Sequence, residues 1–126
     1  MTSTTTREAP PPVGHYPHAR RVGGLLFLSG IGPRPAGGGA IPEGIEAQCH
    51  AVFANVRRVL EAAGSGWERL VDVTVFLTDI PADFTTFNRL WAEYFPVDPP
   101  CRTTVEVSRL PTPISIELKC VATVEE

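Results

Sequence analysis

Between Pro99 and Val121 the chain places two charged side chains where charge is costly. Two strands are predicted there, on either side of a Leu110-Pro111-Thr112-Pro113 break. In the first, alternation puts Cys101, Thr103, Val105 and Val107 on one face and Arg102, Thr104 and Glu106 on the other. In the second, Ile114, Ile116, Leu118 and Cys120 make an apolar face, with Ser115, Glu117 and Lys119 opposite. Arg102 and Glu117 thus sit in half-buried strand positions, where a charge raises the free energy unless it has a partner or a task. One reading is structural. If the strands form a direct hairpin, matching their apolar faces requires paired residue numbers with an odd sum, and 219 sets Arg102 opposite Glu117 as a cross-strand ion pair. The other is functional. A guanidinium fork grips a carboxylate through two parallel bonds and keeps its charge at any working pH.

The elements that must hold this stretch can be read upstream. Residues 1–8 are polar and rich in Thr, and are predicted to be a disordered, frayed segment ahead of a single domain over 9–126. Pro10-Pro11-Pro12 keeps the chain extended before Val13-Gly14 turns it. His18–Val22 and Leu25–Leu28 read as a hairpin across Gly23-Gly24, its second strand apolar enough to be buried on both faces. Residues 32–44 are loop by composition. A helix follows, with Ile45, Cys49, Val52, Phe53, Val56, Val59, Leu60 and Ala63 in one stripe and Gly64 as a left-handed cap. Leu70–Thr78 is a strand with Val71, Val73, Val75 and Leu77 on one face. A second helix begins near Pro81, carries Phe84, Phe87, Leu90, Trp91 and Phe95, and stops at Pro96. The order β-β-α-β-α-β-β predicts an α+β fold, with both helices on one face of a mixed sheet. The other face, Phe76 included, then needs cover, which a homo-oligomer would supply.

Bulk properties narrow the function classes. The chain has 126 residues, enough for one core. Its net charge of −3 and dispersed basic residues leave no footprint for a nucleic-acid backbone. No apolar run approaches the ~20 residues of a membrane span. The first residues lack the apolar region of a secretory signal, so the expected location is cytoplasmic. Three cysteines and three histidines have no metal-ligand spacing, so no metal or cofactor is expected. Cys49 and Cys120 read as buried small hydrophobes. Cys101 lies beside Arg102, but alternation turns its thiol the other way.

An Arg at the head of a strand, Leu110-Pro111 eight and nine residues later, and Ile116-Glu117-Leu118 resemble the closing motif of the RidA/YjgF imine-deaminase family. Ala9–Tyr16, followed by Leu26-Phe27-Leu28-Ser29-Gly30, resembles that family's opening motif. The match spans nearly the whole chain. Cys101 and Thr103 flank the arginine where Ala and Ser are usual, and Ile31 stands where Gln is usual. These departures, with the stretches Tyr16–Arg21, Ser29–Arg34 and Pro100–Thr104, resemble the 2-aminomuconate deaminase branch, whose loop over 36–44 is longer.

The resemblance implies a chorismate-mutase-like α+β fold assembled as a homotrimer with intersubunit clefts. It implies that the last strand lies between earlier ones, so that Arg102 and Glu117 meet only around such a cleft. It further implies a metal-independent hydrolase, with Arg102 holding the substrate carboxylate and Glu117 positioning and activating water. Tyr16, Gly30, Ile31 and Asn88 are the implied substrate contacts, and Thr104, two residues after Arg102 on the same strand face, is a further candidate hydroxyl. The implied reaction takes 2-aminomuconate to 4-oxalocrotonate (2-hydroxymuconate) and ammonia. Its substrate has two carboxylates, and Arg34, Arg20, Arg21 and His18 are the candidates for holding the second. The alternatives are a broad deaminase of 2-iminoacids and a trimer that binds small carboxylates without turning them over.

Overall fold

The computed structural model describes residues 1–125. In chain order its elements are β1 (Thr2–Thr4), β2 (Ala19–Val22), β3 (Leu25–Leu28), α1 (Ile45–Ala62), β4 (Leu70–Leu77), α2 (Ile80–Tyr94), β5 (Cys101–Glu106) and β6 (Ile116–Thr123). The strands form one six-stranded sheet in the order β1-β2-β3-β6-β4-β5. It is mixed: β4 and β5 run parallel through the α2 crossover, and the other pairs are antiparallel. α1 and α2 pack on each other and on this sheet. Between them lies a core built from Val52, Phe53, Val56, Leu60, Val73, Val75, Leu77, Phe87, Leu90, Ile116 and Leu118.

Local chemistry fixes the helix ends. Gly64 takes φ +83° just beyond α1, a left-handed turn that a Cβ would disfavour. Asp79 caps α2 by accepting a hydrogen bond from the Ala82 amide at 3.1 Å, and Pro81 in the first turn forfeits no helical bond.

Three expectations need correction. Residues 1–8 do not simply fray, because Thr2–Thr4 pairs with Ala19–Arg21 as the edge strand β1. Threonine's branched Cβ suits a strand, and the adjoining hairpin offers a free edge. β3 is buried on one face only, since Leu25 and Phe27 are 43% and 40% exposed. In β4 the register shifts between Leu70 and Asp72, leaving Val71 exposed and turning Leu70, Val73, Val75 and Leu77 to the core. The exposed face therefore carries Val22, Leu25, Phe27 and Val105.

Candidate active site

The sheet register decides the relation between Arg102 and Glu117. β4 lies between their strands, which removes the hairpin ion pair. Arg102 pairs with Val73, and Val73 with Cys120; both partners are core residues, so Arg102 lies on the helix side. Glu117 pairs with Phe76, and Phe76 with Val105, which places it on the opposite face. Across two strand spacings and three residues, their Cα atoms lie about 14 Å apart. Within one chain the two groups cannot share a substrate.

Each half is nevertheless prepared. β5 turns its Arg102–Thr104 face toward α2, while Cys101, Thr103 and Val105 face outward, the reverse of what their composition suggests. The physical reason is an aromatic shelf on α2. The Arg102 guanidinium lies 5.8, 5.0 and 5.2 Å from the ring centroids of Phe84, Phe87 and Trp91, where ring quadrupoles attract a cation. Burial pulls its pKa below the ordinary arginine value. Among the described residues it forms no ion pair. Thr104 Oγ1, on the same face, is buried without a hydrogen-bond partner. A buried hydroxyl left unmatched costs free energy, and a bound molecule would relieve it.

The second half is a cleft lined by Tyr16, Gly30, Ile31, Arg34 and Glu117, with Pro111 and Thr112 across from them. Its floor is the junction of β3 and β6. Ile31 and Leu118 exchange backbone hydrogen bonds of 2.9 Å in both directions, which brings Gly30 against Glu117. A Cβ on Gly30 would stand 1.8 Å from Glu117 Oε1, so the carboxylate occupies the space a side chain would fill. Burial raises the Glu117 pKa above the ordinary carboxylate value, and the Arg34 charge partly opposes the rise. Ile116 and Leu118 point into the core on either side and hold the strand.

Of the predicted site residues, Tyr16, Gly30, Ile31, Arg34 and Glu117 come together in this cleft. Arg102 and Thr104 lie on the other half. Asn88 is exposed on α2. Among the candidate cations only Arg34 lines the cleft with a charged group, its Nη2 donating to the Pro11 carbonyl at 2.7 Å. Arg20 reaches Met1 Sδ, and Arg21 the carbonyls of Gly23 and Glu125. His18 is buried, with Nδ1 accepting from the Thr6 amide at 3.1 Å. A backbone amide can only donate, so Nε2 carries the proton and donates to the Pro10 carbonyl at 2.7 Å. This histidine fastens the start of the proline run that leads into Tyr16. Two residues to which periodicity assigned no role also touch the cleft's frame: the buried amides Gln48 and Asn55 of α1. Their signal was present as polar residues bordering an otherwise apolar stripe.

A model of the Endoribonuclease L-PSP family matches residues 6–124. The chain is 38% identical over 120 residues to Reactive Intermediate Deaminase A, chloroplastic, of Arabidopsis thaliana; the match covers 94% of this chain and 64% of that longer protein. Among solved structures, RidA from an Antarctic Psychrobacter superposes with a TM-score of 0.93 at 30% identity, covering 98% of this chain and 100% of that one. E. coli TdcF with bound serine superposes with a TM-score of 0.91 at 30% identity, covering 98% of both chains. The RidA fold expected from the closing and opening motifs is therefore the fold of this protein, and the chain belongs to the Endoribonuclease L-PSP family.

Proposed function

We propose that the protein hydrolyses enamine and imine carboxylates to carbonyl compounds and ammonia, in clefts between subunits of a homotrimer. The observation that carries this reading is the placement of Arg102 and Glu117 on opposite faces of one sheet, each prepared and neither paired with the other. An assembly that sets the β5 edge of one copy against the Glu117 cleft of the next completes the site three times over. The exposed Val22, Leu25, Phe27 and Val105 supply apolar surface for that contact. The deaminase name of the Arabidopsis relative and the serine held by E. coli TdcF, a small amino carboxylate, support the reaction class.

The chemistry follows from the groups present. Arg102 takes the substrate carboxylate bidentately, and the aromatic shelf holds the guanidinium in place. Protonation of the enamine carbon gives an iminium whose carbon is electrophilic without further activation. Glu117, ionised, accepts a proton from water as the C–O bond forms. It returns that proton to nitrogen, then accepts the carbinol hydroxyl proton as the C–N bond breaks, so that ammonia and the neutral carbonyl compound leave. Thr104 Oγ1 supplies a hydroxyl beside the carboxylate. The raised Glu117 pKa improves its match to proton transfer near neutral pH.

Within this class we favour a substrate with two carboxylates, 2-aminomuconate above others, because Arg34 brings a second guanidinium into the cleft. The residues Ser29–Arg34 and Pro100–Thr104 that resemble the aminomuconate branch support that choice. A broad 2-iminoacid deaminase would need only Arg102. The endoribonuclease activity in the family's name finds no support in a chain of net charge −3 with scattered basic residues. Three free thiols fit a reducing compartment such as the cytoplasm.

The test follows decay of the chromophore of freshly generated 2-aminomuconate, with ammonia assayed alongside. Wild type should accelerate both, whereas Arg102→Ala, losing roughly 2–5 kcal/mol of anchoring, should approach the buffer rate. Equal rates for wild type and buffer, with rapid turnover of 2-iminopropionate, would reassign the substrate to the one-carboxylate class. Inertness toward both would end the deaminase reading.

A further inference from the structure

The cleft's two walls belong to loops, and loops hold catalytic geometry only when something rigid fastens them. One wall is Ser29–Arg34, which leads into a stretch where Gly38 and Gly39 take φ of +84° and +102° and a Cβ on either would meet nothing within 4 Å. The other is the segment 110–115 that feeds Glu117. Both are tied to α1 by two buried amide side chains, seven residues and so about two helical turns apart. Asn55, 2% exposed, donates through Nδ2 to the carbonyls of Gly32 at 2.9 Å and Arg34 at 2.8 Å. Its Oδ1 accepts from Arg58 Nη1 at 3.0 Å. Gln48, 5% exposed, donates through Nε2 to the Pro42 carbonyl at 3.0 Å, and its Oε1 accepts from the Ser115 amide at 2.7 Å. The partners fix both amide orientations, because carbonyls only accept and the Ser115 amide only donates.

We propose that Gln48 and Asn55 are positioning residues, each governing one wall of the cleft: Asn55 sets Arg34, and Gln48 sets Ser115 and, two residues on, Glu117. Helix α1 is the reference frame from which both are placed. Asn55 grips the backbone on which Arg34 stands, and Arg34's own Nη2 is held to Pro11, so the guanidinium has a fixed base. Gln48 ties the far end of the same loop, at Pro42, to the entry to β6 at Ser115. The alternative is that both amides only satisfy buried backbone groups; loss of either would then lower stability without preference for one kinetic parameter.

This inference rests on the deaminase reading for its kinetic arm and carries a second arm that needs no turnover. In the kinetic arm, Gln48→Met should lower kcat at least tenfold with little change in KM, because it frees the Glu117 wall. Asn55→Leu should raise KM for a two-carboxylate substrate at least fivefold with a smaller change in kcat, because it frees Arg34. Gln48→Glu keeps the acceptor for Ser115 and should restore most of the kcat lost in Gln48→Met. The charged groups around Glu117 are Arg34 and, on the same strand face, Lys119, whose Nζ donates to the Leu28 carbonyl. Loosening Arg34 in Asn55→Leu should therefore also move the acid limb of kcat/KM to higher pH.

In the structural arm, amide exchange at Ser115 should speed at least tenfold in Gln48→Met while exchange at Val75 is unchanged. Backbone order parameters over residues 32–34 should fall in Asn55→Leu. If Asn55→Leu does not fold, Gln48→Met with its Gln48→Glu rescue still decides the matter. Parallel losses of kcat and affinity in both variants, or unchanged Ser115 exchange, would overturn the proposal. A wild type without deaminase activity would sink the functional reading, and the exchange and order-parameter results would then decide the positioning roles alone.

Discussion

Gly30→Ala adds a single carbon at a point where the Glu117 carboxylate already fills the space. The new Cβ would lie 1.8 Å from Glu117 Oε1 and 2.9 Å from Cδ, whereas ordinary contact begins at 3.4 Å. The carboxylate must retreat by about 1.6 Å. The far end of a glutamate can move that far by changing rotamer, so the fold should survive with a small fall in Tm. The water it positions cannot follow, and a displacement of about 1 Å at a reacting group costs on the order of a hundredfold in rate. The assay is steady-state ammonia release by wild type, Gly30→Ala, Glu117→Gln and the double variant. We expect kcat to fall about a hundredfold in Gly30→Ala, with KM nearly unchanged because Arg102 is untouched. The double variant should be no slower than Glu117→Gln alone, since the two changes strike one group. Additive losses, or a Gly30→Ala enzyme within threefold of wild type, would refute the idea that Gly30 exists to admit the carboxylate.

Other expectations follow from the same geometry. Because burial raises the Glu117 pKa, the rate should fall as pH drops through a value above the ordinary 4.5 of a glutamate, seen as the acid limb of kcat/KM. The stability sign is opposite: between the unfolded and the raised folded pKa the native state holds the extra proton, so stability falls as pH rises through that window. Glu117→Gln should accordingly raise Tm at pH 7 and lose that advantage below pH 4. If the proposed trimer packs through the exposed sheet face, Phe27→Asp should lower the sedimentation coefficient toward that of a single chain, with little change in secondary structure. Burial pushes the thiols of Cys49 and Cys120 up to about 12, so a disulfide reagent at pH 8 should titrate no more than one thiol per native chain.

Much of this architecture was legible because it rests on local rules. The α1 stripe and its Gly64 terminus, the Asp79–Pro81 start of α2, and the alternation that isolates Glu117 on β6 all follow from periodicity and capping. The face of β5 was not legible in that way. Cys101, Thr103 and Val105 look more like core than Arg102 and Thr104 do, but the parallel register with β4 and the shelf of Phe84, Phe87 and Trp91 reverse the choice. Both are non-local, and an arginine seated on aromatic rings has no distinctive pattern within its own strand. The edge strand β1 failed for a related reason: its partner Ala19–Arg21 lies beyond the proline run, outside the reach of any local pattern. In the site, Tyr16, Gly30 and Ile31 follow from motif resemblance, Glu117 from alternation as well, and Arg34 from its place beside the N-terminal hairpin; these five line one cleft, while Asn88 faces solvent. Gln48 and Asn55 were overlooked because a polar residue at the border of an apolar stripe reads as solvent-facing until its loop partners are known.

The central claim is that one site takes Arg102 from one copy and Glu117 from its neighbour. Coexpressing differently tagged Arg102→Ala and Glu117→Gln chains, and purifying the particles that carry both tags, tests it directly. Each variant alone should be inactive. Around a trimer ring that holds both chains only one junction joins an intact Arg102 to a neighbour's intact Glu117, so about a third of the sites in the doubly tagged particles should regain both residues, with activity to match. If both residues acted within one chain, every site would lack one of them, and mixed particles no more active than their parents would contradict the account.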